Sequence, residues 1–185
     1  YLSKWLNELG VKVEEVRVIP DVENSIVNTI NEVRKKFTYV FTTGGIGPTH
    51  DDITSRSIAK AFNLSYGYHK EAYEILEKYY TPGKFNKGRK KMAILPDNAS
   101  LIFNPSSGAP GFVVDNVYCL PGVPSILKSM LGGLNNKINQ ELNKTIKSIE
   151  DGFQKNVVNL TKYRKLPNNS LNNYHHQKNF EIFLN

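Results

Sequence analysis

A chain of 185 residues that is 39% hydrophobic and 22% charged has the length and composition of one globular domain with a buried core. It contains no apolar run near the roughly 20 residues of a membrane helix, it opens without a secretory signal, and its single cysteine, Cys119, excludes a disulfide framework. We therefore expect a cytoplasmic protein without a membrane partner.

The net charge of +7 is unevenly distributed along the chain. From Phe153 onward five basic residues face one acidic residue, a net +4, so the first 152 residues carry only +3. No predicted element carries the dense stripe of lysine and arginine that nucleic-acid binding requires. We therefore do not expect nucleic acid as a partner.

The first predicted elements alternate between helix and strand. Apolar residues at helical spacing predict a helix over residues 2–9, and Gly10 follows it as a left-handed C-cap. Alternation predicts a strand over residues 11–18, and Asp21 is expected to cap the next helix, which runs to Phe37. Residues 39–42 then form a short apolar strand, of the kind that parallel sheets bury on both faces.

The remaining pattern continues this alternation. Further helices are predicted over residues 53–62, 72–80 and from Pro124, and short strands over residues 92–95, 101–103, 112–114 and 117–120. Alternating strands and helices predict an α/β fold with a mostly parallel sheet flanked by helices. The turn-rich region from about residue 66 to 115 is expected to form a small elaboration at one edge.

The composition changes after Ile149, where asparagine becomes abundant and the periodicity fades. We therefore divide the chain into a domain over residues 1–149 and a diverged or poorly ordered Asn-rich tail over residues 150–185. Residues 180–184 either add an edge strand or form a simple apolar end.

The loop after the second strand carries the clearest chemical signal. Gly44-Gly45-Ile46-Gly47 follows a buried strand and precedes a helix, an arrangement that lets backbone amides approach a phosphate. Thr42, Thr43 and Thr49 are expected to add hydroxyl groups at its rim. Asp51 and Asp52 would repel a phosphate unless a divalent cation lies between them, so they are the candidate metal ligands and catalytic residues.

A structural interpretation of the same residues stays open. Thr49 and Asp52 have the spacing of a capping box, and acidic residues in a first helical turn are favourable without any ligand. His50 is expected to form hydrogen bonds at the rim, and Cys119, within an apolar strand, to be a buried structural thiol. Ser106 and Ser107 either bind phosphate or stabilise a turn.

Residues 42–54 match throughout the signature of the molybdenum-cofactor-biosynthesis family, also called the molybdopterin-binding domain family. The two consecutive aspartates resemble its competence/damage-inducible protein A branch, which is also similar to the N-terminal domain of some eukaryotic FAD synthases. Residues 91–99, Asn104-Pro105, residues 108–112 and residues 117–124 resemble later motifs of that branch, in the expected order.

The resemblance implies a three-layer α/β fold with the ligand across the strand ends. It places the ligand against three glycine-containing turns: Gly44, Gly45 and Gly47; Gly108, Ala109, Pro110 and Gly111; and Pro121 and Gly122. It assigns Asp52 to the functional acidic position. It also implies an additional, central strand before the first helix, so the domain is expected to lack its first strand.

The resemblance leaves three functions open. One is metal-dependent hydrolysis of a pyrophosphate bond in an ADP-ribose- or FAD-like substrate, which the paired aspartates favour. The second is molybdopterin binding or adenylylation, and the third is a non-catalytic or vestigial binding module. The expected cofactor is Mg²⁺ or a similar divalent cation, with K⁺ as an additional candidate. The resemblance also implies a nucleotide or pterin as ligand and a homo-oligomer.

Overall fold

A computed structural model of the chain describes residues 1–160 and 179–184. The helices are α1 (Leu2–Glu8), α2 (Glu23–Lys36), α3 (Thr54–Ala61), α4 (Lys70–Tyr79), α5 (Lys87–Lys91) and α6 (Pro124–Leu160). The strands are β1 (Lys12–Val18), β2 (Tyr39–Thr43), β3 (Tyr66–Tyr68), β4 (Ile94–Pro96), β5 (Ser100–Ile102), β6 (Gly111–Val114), β7 (Val117–Leu120) and β8 (Asn179–Leu184).

The main sheet has the strand order β1-β8-β2-β7-β6-β5. Strands β1, β8, β2 and β7 pair in parallel, whereas β6 and β5 continue the sheet in antiparallel pairs. The prediction of a mostly parallel sheet is therefore confirmed. Strands β3 and β4 form a separate antiparallel pair.

Two apolar cores cover the two faces of the main sheet. Along β2, Val40 belongs to one core and Phe41 to the other, because successive side chains of a strand point to opposite faces. The first core takes residues from α2, α3 and α4, and the second from α1 and α6; their members include Ile26, Ile58 and Leu76, and Leu6, Met130 and Leu131, respectively. The expected three-layer α/β fold is thus confirmed.

The ends of the first two helices test the capping predictions. Gly10 follows α1 with φ of 76°, and its amide donates to Asn7 O, which confirms the left-handed C-cap. Asp21 does not cap α2: the N-cap is Val22, and it makes no side-chain cap bond. The Val22 amide instead donates to Pro20 O at 2.7 Å, a tight turn that leaves Asp21 exposed outside the helix.

The C-terminal part differs from the predicted tail. Helix α6 continues to Leu160, so the boundary expected after residue 149 falls inside a helix. Strand β8 lies between β1 and β2, parallel to both, and so occupies an interior position rather than an edge. Residues 161–178 and 185 of the expected tail lie outside the described residues.

The predicted elaboration consists of β3, α4, α5 and β4. Strand β3 and helix α5 were not predicted. Helix α5 shows no hydrophobic periodicity because its five residues include no apolar side chain. Its local signal is Asn86, the N-cap, whose side chain accepts a hydrogen bond from Arg89 N at 3.0 Å.

Within the part of the chain that the structure describes, no helix combines the length and the apolar character that crossing a bilayer requires.

Candidate functional site

The signature loop begins where β2 ends, at one edge of the main sheet. All five residues of β2 are buried, and the chain then turns through Gly44 and Gly45, whose φ angles are 99° and 66°. These angles lie in the left-handed region, which favours glycine. The Gly44 amide donates to Leu120 O at 2.9 Å, which ties the loop to the end of β7.

The parallel pairing of β2 with β7 brings a second glycine turn to the same place. Thr43 lies opposite Leu120, so the segment after β7 emerges beside the segment after β2. A Cβ atom on Gly122 would lie 3.2 Å from Gly44 Cα, closer than most side chains tolerate. Pro121-Gly122 and the signature loop are therefore in direct backbone proximity.

The third turn reaches this edge through β6. Strand β6 pairs antiparallel with β7, with Phe112 opposite Cys119, so its first residue, Gly111, lies near the end of β7. A Cβ atom on Gly111 would lie only 2.6 Å from Cys119 O. The turn that includes Gly108, Ala109 and Pro110 therefore enters the sheet at the edge where the other two turns leave it.

A buried asparagine organises the third turn. Asn104 is 3% exposed, and its Oδ1 accepts hydrogen bonds from the amides of Ser106 and Ser107 at 2.9 and 3.1 Å. Its Nδ2 donates to Ser107 Oγ and Ala109 O, both at 2.7 Å. Ser107 thus takes part in stabilising the turn. We assigned Asn104 no role from the sequence, although asparagine before proline and serine is a common turn signal.

The threonines of the loop do not all lie where the sequence suggested. Thr42 and Thr43 are 2% and 4% exposed, so the prediction that their hydroxyl groups lie at the rim is wrong; both side chains are inside the sheet. Thr49 is exposed at the rim. The prediction for Cys119 is confirmed, because the residue is buried and burial raises the pKa of its thiol to about 12.

The paired aspartates occupy different environments. Asp52 Oδ2 accepts hydrogen bonds from Thr49 N, at 2.8 Å, and from Thr49 Oγ1. Asp51 and His50 are exposed, with 75% and 101% of their side chains accessible. The pKa of the Asp51 carboxyl lies below its usual value, chiefly through the Thr49 side chain and its own backbone amide, with smaller contributions from the charges of His50 and Lys91.

The bonds between Thr49 and Asp52 are not a helix cap. Helix α3 begins at Thr54, and its N-cap, Ile53, makes no side-chain cap bond. The capping-box interpretation is therefore wrong, and the reason is that several loop residues separate Thr49 from the helix. The pair instead closes the loop on itself and fixes one oxygen of Asp52.

Lys91 is a site residue that the sequence reasoning missed. Its Nζ donates to Asp52 O at 2.8 Å and to Thr49 O. Lys91, the last residue of α5, therefore holds both ends of the loop segment over residues 49–52, which contains the two aspartates. The two partners lie 42 and 39 residues away in the chain, so no local pattern indicates this contact. In the sequence, Lys91 is marked only as the first residue of the motif over residues 91–99.

The donor set of this loop suits one class of metal ion. Among the described residues, no three His, Cys, Asp or Glu side chains group closely enough to hold a metal by themselves. Magnesium is commonly held by one or two carboxylates, completed by waters and by phosphate oxygens of the substrate. Asp51 and Asp52 fit that arrangement, in which the phosphate-bearing ligand supplies part of the coordination.

Comparison with known proteins identifies the domain. A family model described as a probable molybdopterin binding domain matches residues 1–140. A protein of Archaeoglobus fulgidus is 36% identical over 129 residues, covering 70% of this chain and 55% of its own length. A competence-damage inducible protein of Clostridium botulinum is 36% identical over 163 residues, covering 80% of this chain and 38% of its own.

A solved structure agrees with the sequence comparisons. The protein CinA with unknown function from Thermoplasma acidophilum superposes with a TM-score of 0.68 at 28% identity, covering 74% of this chain and 83% of that one. This chain spans about half the length, or less, of the curated relatives it matches. The glycine turns at the sheet edge, the matched family model and these relatives lead to one conclusion: the chain belongs to the molybdopterin-binding domain family.

Proposed function

We propose that this domain binds a nucleotide or pterin at the edge formed by the three glycine turns and hydrolyses a pyrophosphate bond in an ADP-ribose- or FAD-like substrate. The observation that carries the proposal is the fixed position of Asp52, held by Thr49 beside the glycine loop. An acidic residue held next to a phosphate-binding loop is an arrangement that serves to place a cation on the phosphate.

The geometry supports each part of this chemistry. Because the Gly44 amide is bonded to Leu120 O, the backbone amides of Gly45 and Gly47 are the ones that would bind a phosphate, and glycine allows its close approach. Gly122 lies against Gly44, so a ligand group beside the loop would continue along the strand ends there. A divalent cation such as Mg²⁺, with K⁺ as an additional candidate, would supply the charge that polarises the phosphorus atom.

The chain's own residues contribute orientation and charge in this mechanism. Asp52 would hold the cation through the oxygen that Thr49 leaves available, and Asp51 would orient the attacking water or add a second ligand. Because this chain covers only part of its relatives, we apply the proposal to this domain alone. A cytoplasmic location and a homo-oligomeric state are part of the same proposal.

A second candidate function is molybdopterin binding, with or without adenylylation. It is favoured by the family description, which names a pterin ligand. The same glycine turns would hold the pyrophosphate or phosphate of either ligand. A non-catalytic module is the form of this alternative in which the domain binds its ligand without any turnover.

The deciding experiment measures AMP and phosphate release from ADP-ribose, FAD and ATP, with Mg²⁺, Mn²⁺ or Co²⁺ and K⁺ present. We expect metal-dependent AMP release from ADP-ribose or FAD that falls at least about 100-fold in Asp52→Asn. Asp21→Asn, which makes the same change at an exposed site outside the loop, should retain full activity. Unchanged turnover in Asp52→Asn would refute the metal role. No release from any substrate would favour the pterin-binding alternative, which fluorescence titration with a pterin then tests.

A further inference from the structure

A short basic segment lies within the elaboration, between α4 and β4. We define the basic segment as residues 84–91, which carry five cations and no acidic residue: Lys84, Lys87, Arg89, Lys90 and Lys91. Its last five residues form helix α5. Positive charge at this density attracts a partner of opposite charge.

The basic segment lies directly on the signature loop. A Cβ atom on Gly88 would lie 3.2 Å from Pro48 O, so the helix backbone approaches the loop closely there. Three residues further on, Lys91 donates to the carbonyl oxygens of Thr49 and Asp52. Helix α5 is therefore next to the loop that carries Gly47 and the paired aspartates.

The hydrogen-bond and ring partners of these cations are neutral, although the charge of Lys91 also acts on the Asp51 carboxyl. The Arg89 guanidinium stacks 4.3 Å from the centroid of the Tyr80 ring and donates to Lys84 O. The Lys90 ammonium lies 5.3 and 5.7 Å from the ring centroids of Phe85 and Tyr73. Among the ion pairs between described residues, none involves the basic segment. Aromatic faces and carbonyl groups orient a cation without neutralising its charge.

Lys91 contacts the loop, and Lys87 shares its helix face. An ammonium group has three donor hydrogens, and Lys91 uses two on Thr49 O and Asp52 O, which leaves one for a ligand. Lys87 precedes Lys91 by four residues in α5, so the two side chains lie on the same face, and Lys87 is exposed. Like charges at this spacing repel each other, and an anion between them would convert that repulsion into attraction.

We propose that Lys87 and Lys91 bind the second phosphate of a ligand whose first phosphate lies on the glycine loop, so that the site selects pyrophosphate-bearing ligands over monophosphates. The inference rests on the proposed function in one respect, namely that the glycine loop holds a phosphate. Lys91 is already oriented by two carbonyl groups, so it loses little side-chain freedom on binding, and Lys87 completes the contact from solvent.

The test is calorimetric binding of inorganic phosphate and inorganic pyrophosphate to the full chain, with Mg²⁺ present. We expect the wild-type chain to bind pyrophosphate at least about tenfold more tightly than phosphate, the effect of one charge-assisted hydrogen bond. Lys87→Gln should lower the affinity for pyrophosphate about tenfold and change that for phosphate less than about twofold. Lys35→Gln, the same change at an exposed lysine of α2, should leave both affinities unaltered.

Each outcome is decisive, and Lys91→Met provides the second variant. A wild-type chain that binds phosphate and pyrophosphate equally, or a Lys87→Gln chain with an unchanged affinity ratio, would overturn the inference and leave the proposed function standing. Loss of pyrophosphate preference in both variants, with melting temperatures near that of the wild type, would support it. If the wild-type chain binds neither anion, the proposed function fails first, and this inference fails with it.

Discussion

Replacing Gly47 by alanine should displace Asp52 without unfolding the domain. The new Cβ atom would lie 2.7 Å from Asp52 Oδ2, whereas an ordinary contact begins near 3.4 Å, so the carboxylate must move by the difference, about 0.7 Å. Gly47 is not among the described glycines with positive φ, so its backbone tolerates alanine. The oxygen that must move is the one that Thr49 holds, so the substitution acts on the residue that carries the proposed chemistry.

The expected effect is large on activity and small on stability. Displacement of a catalytic group by about 1 Å costs up to about 100-fold in rate, so we expect a decrease of roughly 10- to 100-fold in metal-dependent AMP release from ADP-ribose. Weakening the exposed hydrogen bonds between Thr49 and Asp52 should cost about 1 kcal/mol, or a decrease of about 2–4 °C in Tm. Paired measurements of turnover and thermal unfolding test both numbers.

The control is Gly67→Ala, because a Cβ atom on Gly67 meets nothing within 4 Å. This variant should match the wild-type chain in both measurements. Wild-type turnover in Gly47→Ala would show that the position of Asp52 does not matter and would refute the reasoning. A loss of activity explained by unfolding at the assay temperature would refute it equally.

Three more predictions follow from the site. Asn104→Ala removes a buried side chain with four hydrogen bonds and should lower the free energy of unfolding by about 2–4 kcal/mol, measured by urea denaturation. Because burial raises the pKa of the Cys119 thiol to about 12, the folded chain should not react with a thiol reagent at pH 8 and should react fully in denaturant. The Asp51 carboxyl should titrate below its usual 3.8 by NMR, so it stays ionised as the pH falls towards that value, and Thr49→Ala should raise its midpoint.

Features with a local signal were predictable from the sequence. The apolar runs of β2 and β7 are buried strands, and the glycines after them mark the edge where the ligand loops lie. Features that depend on distant partners were not predictable. The contact of Lys91 with Thr49 joins residues 42 apart, and the burial of Thr42 follows from the strands that flank it rather than from its own chemistry. Helix α5 lacked periodicity because it is short and charged.

The interior position of β8 has a consequence for the order in which this fold assembles. Among the described strands of the main sheet, β1 adjoins β8, which pairs Lys12 with Asn179 on one side and Tyr39 with Phe180 on the other. During synthesis, β1 and β2 therefore leave the ribosome long before β8, the strand that pairs with both. Such non-local pairing slows folding, and open strand edges attract other chains meanwhile. The nascent chain should consequently depend on chaperone protection until β8 arrives.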